Sequence, residues 1–128
     1  MKGGGNEFCK GLAEADEAIV AAFLISDGIQ GSHLKLNVPE LKEEDARRLS
    51  DQTEVIMNIT RTNEQLFGKV GFVLVSHESI DGMFFPLDSS MTVLVGLVKP
   101  YDQKKIADKV SAMTRSSKIW KKGTVDSI

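Results

Sequence analysis

Residues 70–100 read VGFVLVSHESIDGMFFPLDSSMTVLVGLVKP. Three short apolar runs, at 70–75, 82–87 and 92–98, are separated by clusters of Ser, Asp and Gly. That pattern predicts three consecutive antiparallel strands, because β-branched and aromatic residues fit a pleated surface and the small polar residues supply turns. Pro86 has no N–H to give to a ladder, so it belongs on an edge or at a strand end.

The segment before this meander predicts one long helix over residues 40–67. Pro39 fixes φ ahead of it. Glu40, Glu43, Glu44 and Asp45 place acids near the positive end of the helix dipole. Gly68 can end it. Ala46, Leu49, Thr53, Ile56, Ile59, Leu66 and Phe67 fall along one side, and Val55 and Met57 fall on opposite margins. The apolar arc is then roughly 200° wide, against the ~100° that one core contact needs. Two explanations fit that width: a deep seat on the sheet, or a second surface for another chain.

Further toward the N-terminus, residues 18–26 are nearly all apolar, as in a strand buried on both faces. Asp27-Gly28 is a hairpin turn signal, since Gly accepts positive φ. Residues 29–36 form the returning strand, where His33, Lys35 and Asn37 alternate with Leu34, Leu36 and Val38 and leave one face polar. A short helix over residues 7–16 is predicted from Phe8, Leu12 and Ala15 at i, i+4, i+7, with Asn6 as N-cap. After the meander, Lys99, Pro100, Tyr101 and Asp102 break the sheet. Asp102 caps a final helix striped by Ile106, Val110 and Met113 and ending near Ser116. Residues 1–6 are read as a flexible start and 117–128 as a basic flexible tail. The order is α-β-β-α-β-β-β-α, an α+β class. The expected core is Phe23, Ile25, Ile56, Ile59, Phe72, Leu74, Val93, Val95 and Val110.

The chain has 128 residues, 41% of them hydrophobic and 27% charged, the balance of a single globular domain. A net charge of −2 argues against general nucleic-acid binding. The charge is uneven: Lys104, Lys105, Lys109, Arg115, Lys118, Lys121 and Lys122 stand against Asp108 alone between residues 104 and 122. A single cysteine, Cys9, excludes an internal disulfide and fits a reducing cytoplasm. No apolar run approaches the ~20 residues of a membrane helix.

The order of elements over residues 8–113 resembles the Roadblock/dynein light chain family, a relative of the longin and profilin-like folds. AIVAAFLISDG at 18–28 looks like that family's first strand, which ends in an Asp-Gly turn. MTVLVGL at 91–97 looks like its last strand, and residues 100–110 like its closing helix. The layout is also similar to that of small archaeal proteins. The resemblance implies a five-stranded antiparallel sheet with a long helix on one face, shorter terminal helices, and a Roadblock-like domain over residues 7–116. It also implies homodimers or heterodimers and a role as a platform for small GTPases or motors. Two features depart from the pattern. Gln30, Ser32 and His33 stand where small residues usually follow the turn, and the tail bearing Trp120 has no counterpart.

Candidate chemistry is sparse. Cys9, His33 and His77 lie on three different predicted elements without metal-ligand spacing, so no metal is expected. Cys9 with His77 could be a nucleophile and base, but nothing supplies an oxyanion hole, and a buried Cys9 is the simpler reading. Ser76, His77, Glu78, Ser79 and Asp81 hold catalytic residue types but occupy one polar turn, without a nucleophile elbow. GIQG at 28–31 and GKVG at 68–71 lack the closing Lys-Ser/Thr of a phosphate loop. The basic segment around Trp120 could touch acidic lipid or nucleic acid, or be simply solvated.

The sequence therefore points to a non-enzymatic, cytoplasmic, homodimeric scaffold or regulator without cofactor, with a small GTPase as the possible partner. The alternative is a PAS-like or profilin-like small-molecule sensor. The candidate dimer interface is Val55, Met57, Val70, Phe72 and Leu74, combining the wide helix arc with the third strand.

Overall fold

The computed structural model describes residues 2–35, 38–87 and 90–116. The elements run α1 (Lys2–Glu14), β1 (Ile19–Ile25), β2 (Ile29–Leu34), α2 (Glu43–Arg61), α3 (Glu64–Phe67), β3 (Val73–Val75), β4 (Ile80–Pro86), β5 (Thr92–Val98) and α4 (Gln103–Ser116). The five strands form one antiparallel sheet in the order β2-β1-β5-β4-β3. The predicted class and strand count are those observed.

β1 is central and all seven of its residues are buried, as a run apolar on both faces requires. Asp27 and Gly28 both take positive φ, at 49° and 107°, and turn the chain into β2. Pro86 pairs with Thr92 of β5 but lies beyond the end of β3, so its missing N–H leaves no gap in a ladder. Asp102 caps α4: its Oδ1 accepts the Lys105 N–H at 3.1 Å and its carbonyl the Ile106 N–H at 3.0 Å.

The sheet separates two cores. On one face, α1 and α4 bury Cys9, Leu12, Ile106 and Val110 against Ala22, Leu24, Met83, Phe85, Val93 and Val95. On the other, α2 presses Met57 onto Ala21, Phe23, Ile25, Phe84 and Leu94. The nine-residue core expected from sequence is thus split. Phe23 and Ile25 lie under α2, while Leu74, Val93, Val95 and Val110 belong to the opposite face. Ile56 only flanks the α2 core, and Ile59 and Phe72 are exposed.

Several boundaries also differ. The long helix ends at Arg61 and restarts as α3, because i+3 bonds replace i+4 bonds at Thr62 and Asn63. The Thr60 hydroxyl donates to the Ile56 and Met57 carbonyls and the Thr62 hydroxyl to that of Ile59, a competition that bends helices. Gly68, at φ 86°, ends α3. α2 starts at Glu43 rather than just after Pro39. β3 is three residues long rather than six, and β4 starts at Ile80.

The largest correction concerns the N-terminus. The glycine run set aside as a flexible start is helical, and Gly5 is buried. A Cβ on Gly5 would lie 2.5 Å from the Gln30 carbonyl oxygen, so only glycine lets α1 approach β2 this closely. The proposed tail, residues 117–128, lies outside the described residues.

Candidate interaction site

The two edges of the sheet are finished differently. Lys35 N–H donates inward to Val20 O, so alternation along β2 turns the Ser32 N–H outward. Asn6 of α1 meets it there, its Oδ1 accepting the bond at 3.0 Å. The outward amide in the middle of the β2 edge is therefore capped. At the other edge, β3 pairs only with β4, through Val73–Phe84, Leu74–Met83 and Val75–Gly82. No described residue covers its outer side with a strand, and the stretch from Val70 to Val75 has no charge or proline to discourage one.

An apolar groove of about 670 Å³ opens on the α2 face. Five strands at ~4.8 Å spacing are wider than one helix of ~10 Å diameter can cover. The register deepens the gap. One cross-strand rank is Phe23, Leu94, Phe84 and Val73, and these large side chains fill the space under α2. The neighbouring rank is Ala21, Gly96 and Gly82, flanked by Leu34 and Val75. Its small residues form the floor of the groove. Ser50 Oγ accepts the Gly28 N–H at 3.1 Å and ties α2 to the β1–β2 turn, beside rather than over this floor.

An apolar ridge stands exposed along α2 and α3, and its Val55 lines the groove. Val55 and Ile59 on α2 are 56% and 62% exposed, and Leu66 and Phe67 on α3 are 78% and 82% exposed. Isolated exposed apolar residues are ordinary, but four within 13 residues, one of them on the lining of an open apolar groove, make a candidate association surface.

The five interface residues predicted from sequence do not share one patch. Val55 lines the groove and is exposed. Met57 is 2% exposed, sealed between α2 and the sheet. Val70 is half-buried on the α2 side, its N–H held by Glu64 Oε2 at 2.8 Å. Phe72 and Leu74 face the opposite side: Phe72 packs its ring 5.8 Å from that of Phe85, and Leu74 joins the core under α1 and α4. Sequence reasoning placed Ile59 in the core and set Leu66 and Phe67 along the same apolar side of one long helix, whereas all three are exposed. The signal was present in the 200° arc, but the break at Thr62 and Asn63 was not.

Comparison with solved structures identifies this architecture. A Roadblock/LC7 domain from Streptomyces avermitilis superposes with a TM-score of 0.71 at 18% identity, over 87% of this chain and 92% of that one. The fold is that of Roadblock/LC7 domains. Myxococcus xanthus MglB matches with a TM-score of 0.70 at 12% identity, over 88% of this chain and 84% of its own. An MglB solved in a tetrameric arrangement matches at 0.61 and 12% identity, over 85% and 86%. No sequence-family model and no curated protein matches the chain.

Within this Roadblock-type fold, the start of β4 holds a residue that sequence reasoning left in a solvated turn. Asp81 is buried. Its carboxylate accepts the Tyr101 hydroxyl at 2.6 Å, the Ser76 hydroxyl at 3.1 Å and the His77 N–H at 3.1 Å, and Lys99 Nζ lies 3.3 Å away. The Tyr101 hydroxyl bond, followed by those of Ser76 and His77, holds the carboxyl below its usual range against the opposing effect of burial. Burial, together with Asp81 itself, pushes Tyr101 up to about 12. Each oxygen of Asp81 already has partners, so the group works as a clamp joining the turn, the end of β5 and the loop before α4. Cys9 lies in the core on the other side of the sheet from the groove that His77 lines, and burial pushes its thiol up to about 12. The two are not a nucleophile and base. Among the described residues no three His, Cys, Asp or Glu side chains are grouped to hold a metal ion, and no helix is long and apolar enough to cross a membrane.

Proposed function

We propose that this chain is a non-enzymatic, homodimeric scaffold or regulator whose partner class is a small GTPase. The observation that carries the dimer is the coincidence of an open, uncharged β3 edge with an uncovered groove and the Val55, Ile59, Leu66 and Phe67 ridge on one side of the sheet. A two-fold axis near β3 would pair that strand with its copy and bring each ridge over the other protomer's groove, an isologous contact in which knob and hole lie on the same surface. The partner class follows from the resemblance to the Roadblock family, and the shared fold supports it. Sedimentation at tens of micromolar tests the dimer. A mass of one chain, 14.0 kDa, sinks it, and a mass of two supports it. Pull-down with a panel of small GTPases in each nucleotide state tests the partner class.

The groove also supports a second reading, a small-molecule sensor. Its volume suits a ligand, and His77 and Gln52 stand on its lining. Sensors enclose their ligands and aim polar groups inward. This groove is open, which favours the scaffold. Mass spectrometry of the protein extracted under denaturing conditions distinguishes the two, since a sensor purified with its ligand would release it.

A further inference from the structure

The contact of α1 with β2 goes beyond ordinary packing. Glycine is a poor helix former, costing about 1 kcal/mol per residue relative to alanine, and α1 contains Gly3, Gly4 and Gly5 in its first turns. Gly5 rests directly on the backbone of Gln30 and Gly31, and a side chain on either Gly5 or Gly31 would collide with the backbone of the other element. This approach brings the next residue, Asn6, to the rim of the sheet, where its side-chain carbonyl takes the outward N–H of Ser32. β2 is six residues long, twice the length of β3, and it carries no proline. Without α1 it would be the better of the two edges for strand addition.

We propose that the β2 edge is a second, covered self-association surface, with the Gly5–Asn6 turn of α1 as its cover and β2 of another copy as the strand it would accept. Antiparallel β2–β2 pairing about a two-fold axis continues the all-antiparallel sheet and needs no partner other than this chain. The cover confines association to one edge. A chain with both edges open presents two isologous contacts, and alternating them links copies into an open-ended row rather than a closed dimer.

The test compares the full chain with Asn6→Ala and Gly31→Val, each checked for native circular dichroism. Asn6→Ala removes the cap, and Gly31→Val forces the first turn of α1 off the strand. Sedimentation at rising concentration should show the variants passing the wild-type assembly by at least one further association step. If the wild type is a dimer, their mass should climb without a plateau. If the wild type is a monomer, they should stop at two chains. The wild-type mass thus reports on the dimer reading, and the step beyond it reports on the cover. Hydrogen exchange at the Ser32 amide should accelerate about tenfold in Asn6→Ala at low concentration, the loss of one ordinary hydrogen bond. It should slow again as the variant assembles. Folded variants that keep the wild-type mass at every concentration overturn the proposal. So does growth in which the β2 amides stay as exposed as in the dilute variant, since that would be aggregation through another surface. Should Gly31→Val fail to fold, Asn6→Ala alone decides.

Discussion

The β2 and β3 edges of one sheet meet the same physical problem and resolve it in opposite ways. An edge strand presents unpaired N–H and C=O groups that invite another strand. At β2, a glycine-rich helix comes down on the backbone and an asparagine takes the outward amide. At β3, the described residues place no further strand, and the strand is short and uncharged, with Val75 on the lining of the apolar groove. The contrast teaches that exposure at β3 is not a general looseness of the fold. The chain closes one edge with a helix whose Gly5 lies against the strand backbone, and leaves the other free.

The largest expected effect comes from breaking the closed side. Leu12 is fully buried where α1 meets the sheet, and Leu12→Ala should cost about 2–5 kcal/mol in a denaturant titration. A loss under about 0.5 kcal/mol would mean that α1 is not anchored as described.

The next concerns the open side. Val55→Glu combined with Ile59→Glu changes two exposed residues, so stability of the isolated fold should move by no more than about 0.5 kcal/mol per site. Association should weaken by about 2 kcal/mol or more, some thirtyfold in Kd, because central apolar contacts dominate interfaces. Unchanged sedimentation would remove the ridge from the interface.

A subtler test addresses the clamp behind β3. Asp81 is held below its ordinary carboxyl value in the folded chain, chiefly by the Tyr101 hydroxyl. Its contribution is therefore fully present above the unfolded carboxyl range, near pH 4, and is lost as pH falls through the folded value. Asp81→Asn should lower the urea midpoint at neutral pH and flatten the acid limb of stability against pH. Parallel acid limbs in the two proteins would contradict the clamp. The smallest effect sharpens the comparison by standing outside it. Asp102→Ala removes the α4 cap and should cost about 0.5–2 kcal/mol without altering oligomeric state.

What was legible in the sequence was what local pattern dictates. The doubly apolar run of β1, the Asp27-Gly28 turn, the meander and the Asp102 cap follow from side-chain chemistry within a few residues. The features that set the two edges apart do not. Glycine propensity speaks against a helix at residues 3–5, and only contact with Gly31 of β2, 26 residues away, makes Gly5 useful there. Asp81 reads as a turn residue because Tyr101 and Lys99, which bury and pair it, are distant in sequence. The candidate interface mixed residues from two faces because Val73–Val75 alternates. Taking Phe72 and Leu74 with Val55 ignored which side of the pleat each occupies. Leu66 and Phe67 were assigned to the same helix as Ile59, but threonine back-bonding ends α2 before the apolar stripe does.

The central claim is that association uses the β3 edge while the β2 edge stays closed. Hydrogen exchange resolved to single amides, recorded on the unmodified chain from dilute to tens of micromolar, tests it most directly. The account predicts that protection at Val73–Val75 rises with concentration while protection at Ile29–Leu34 stays constant. Protection at β3 that is independent of concentration, or that rises at β2 instead, would contradict it.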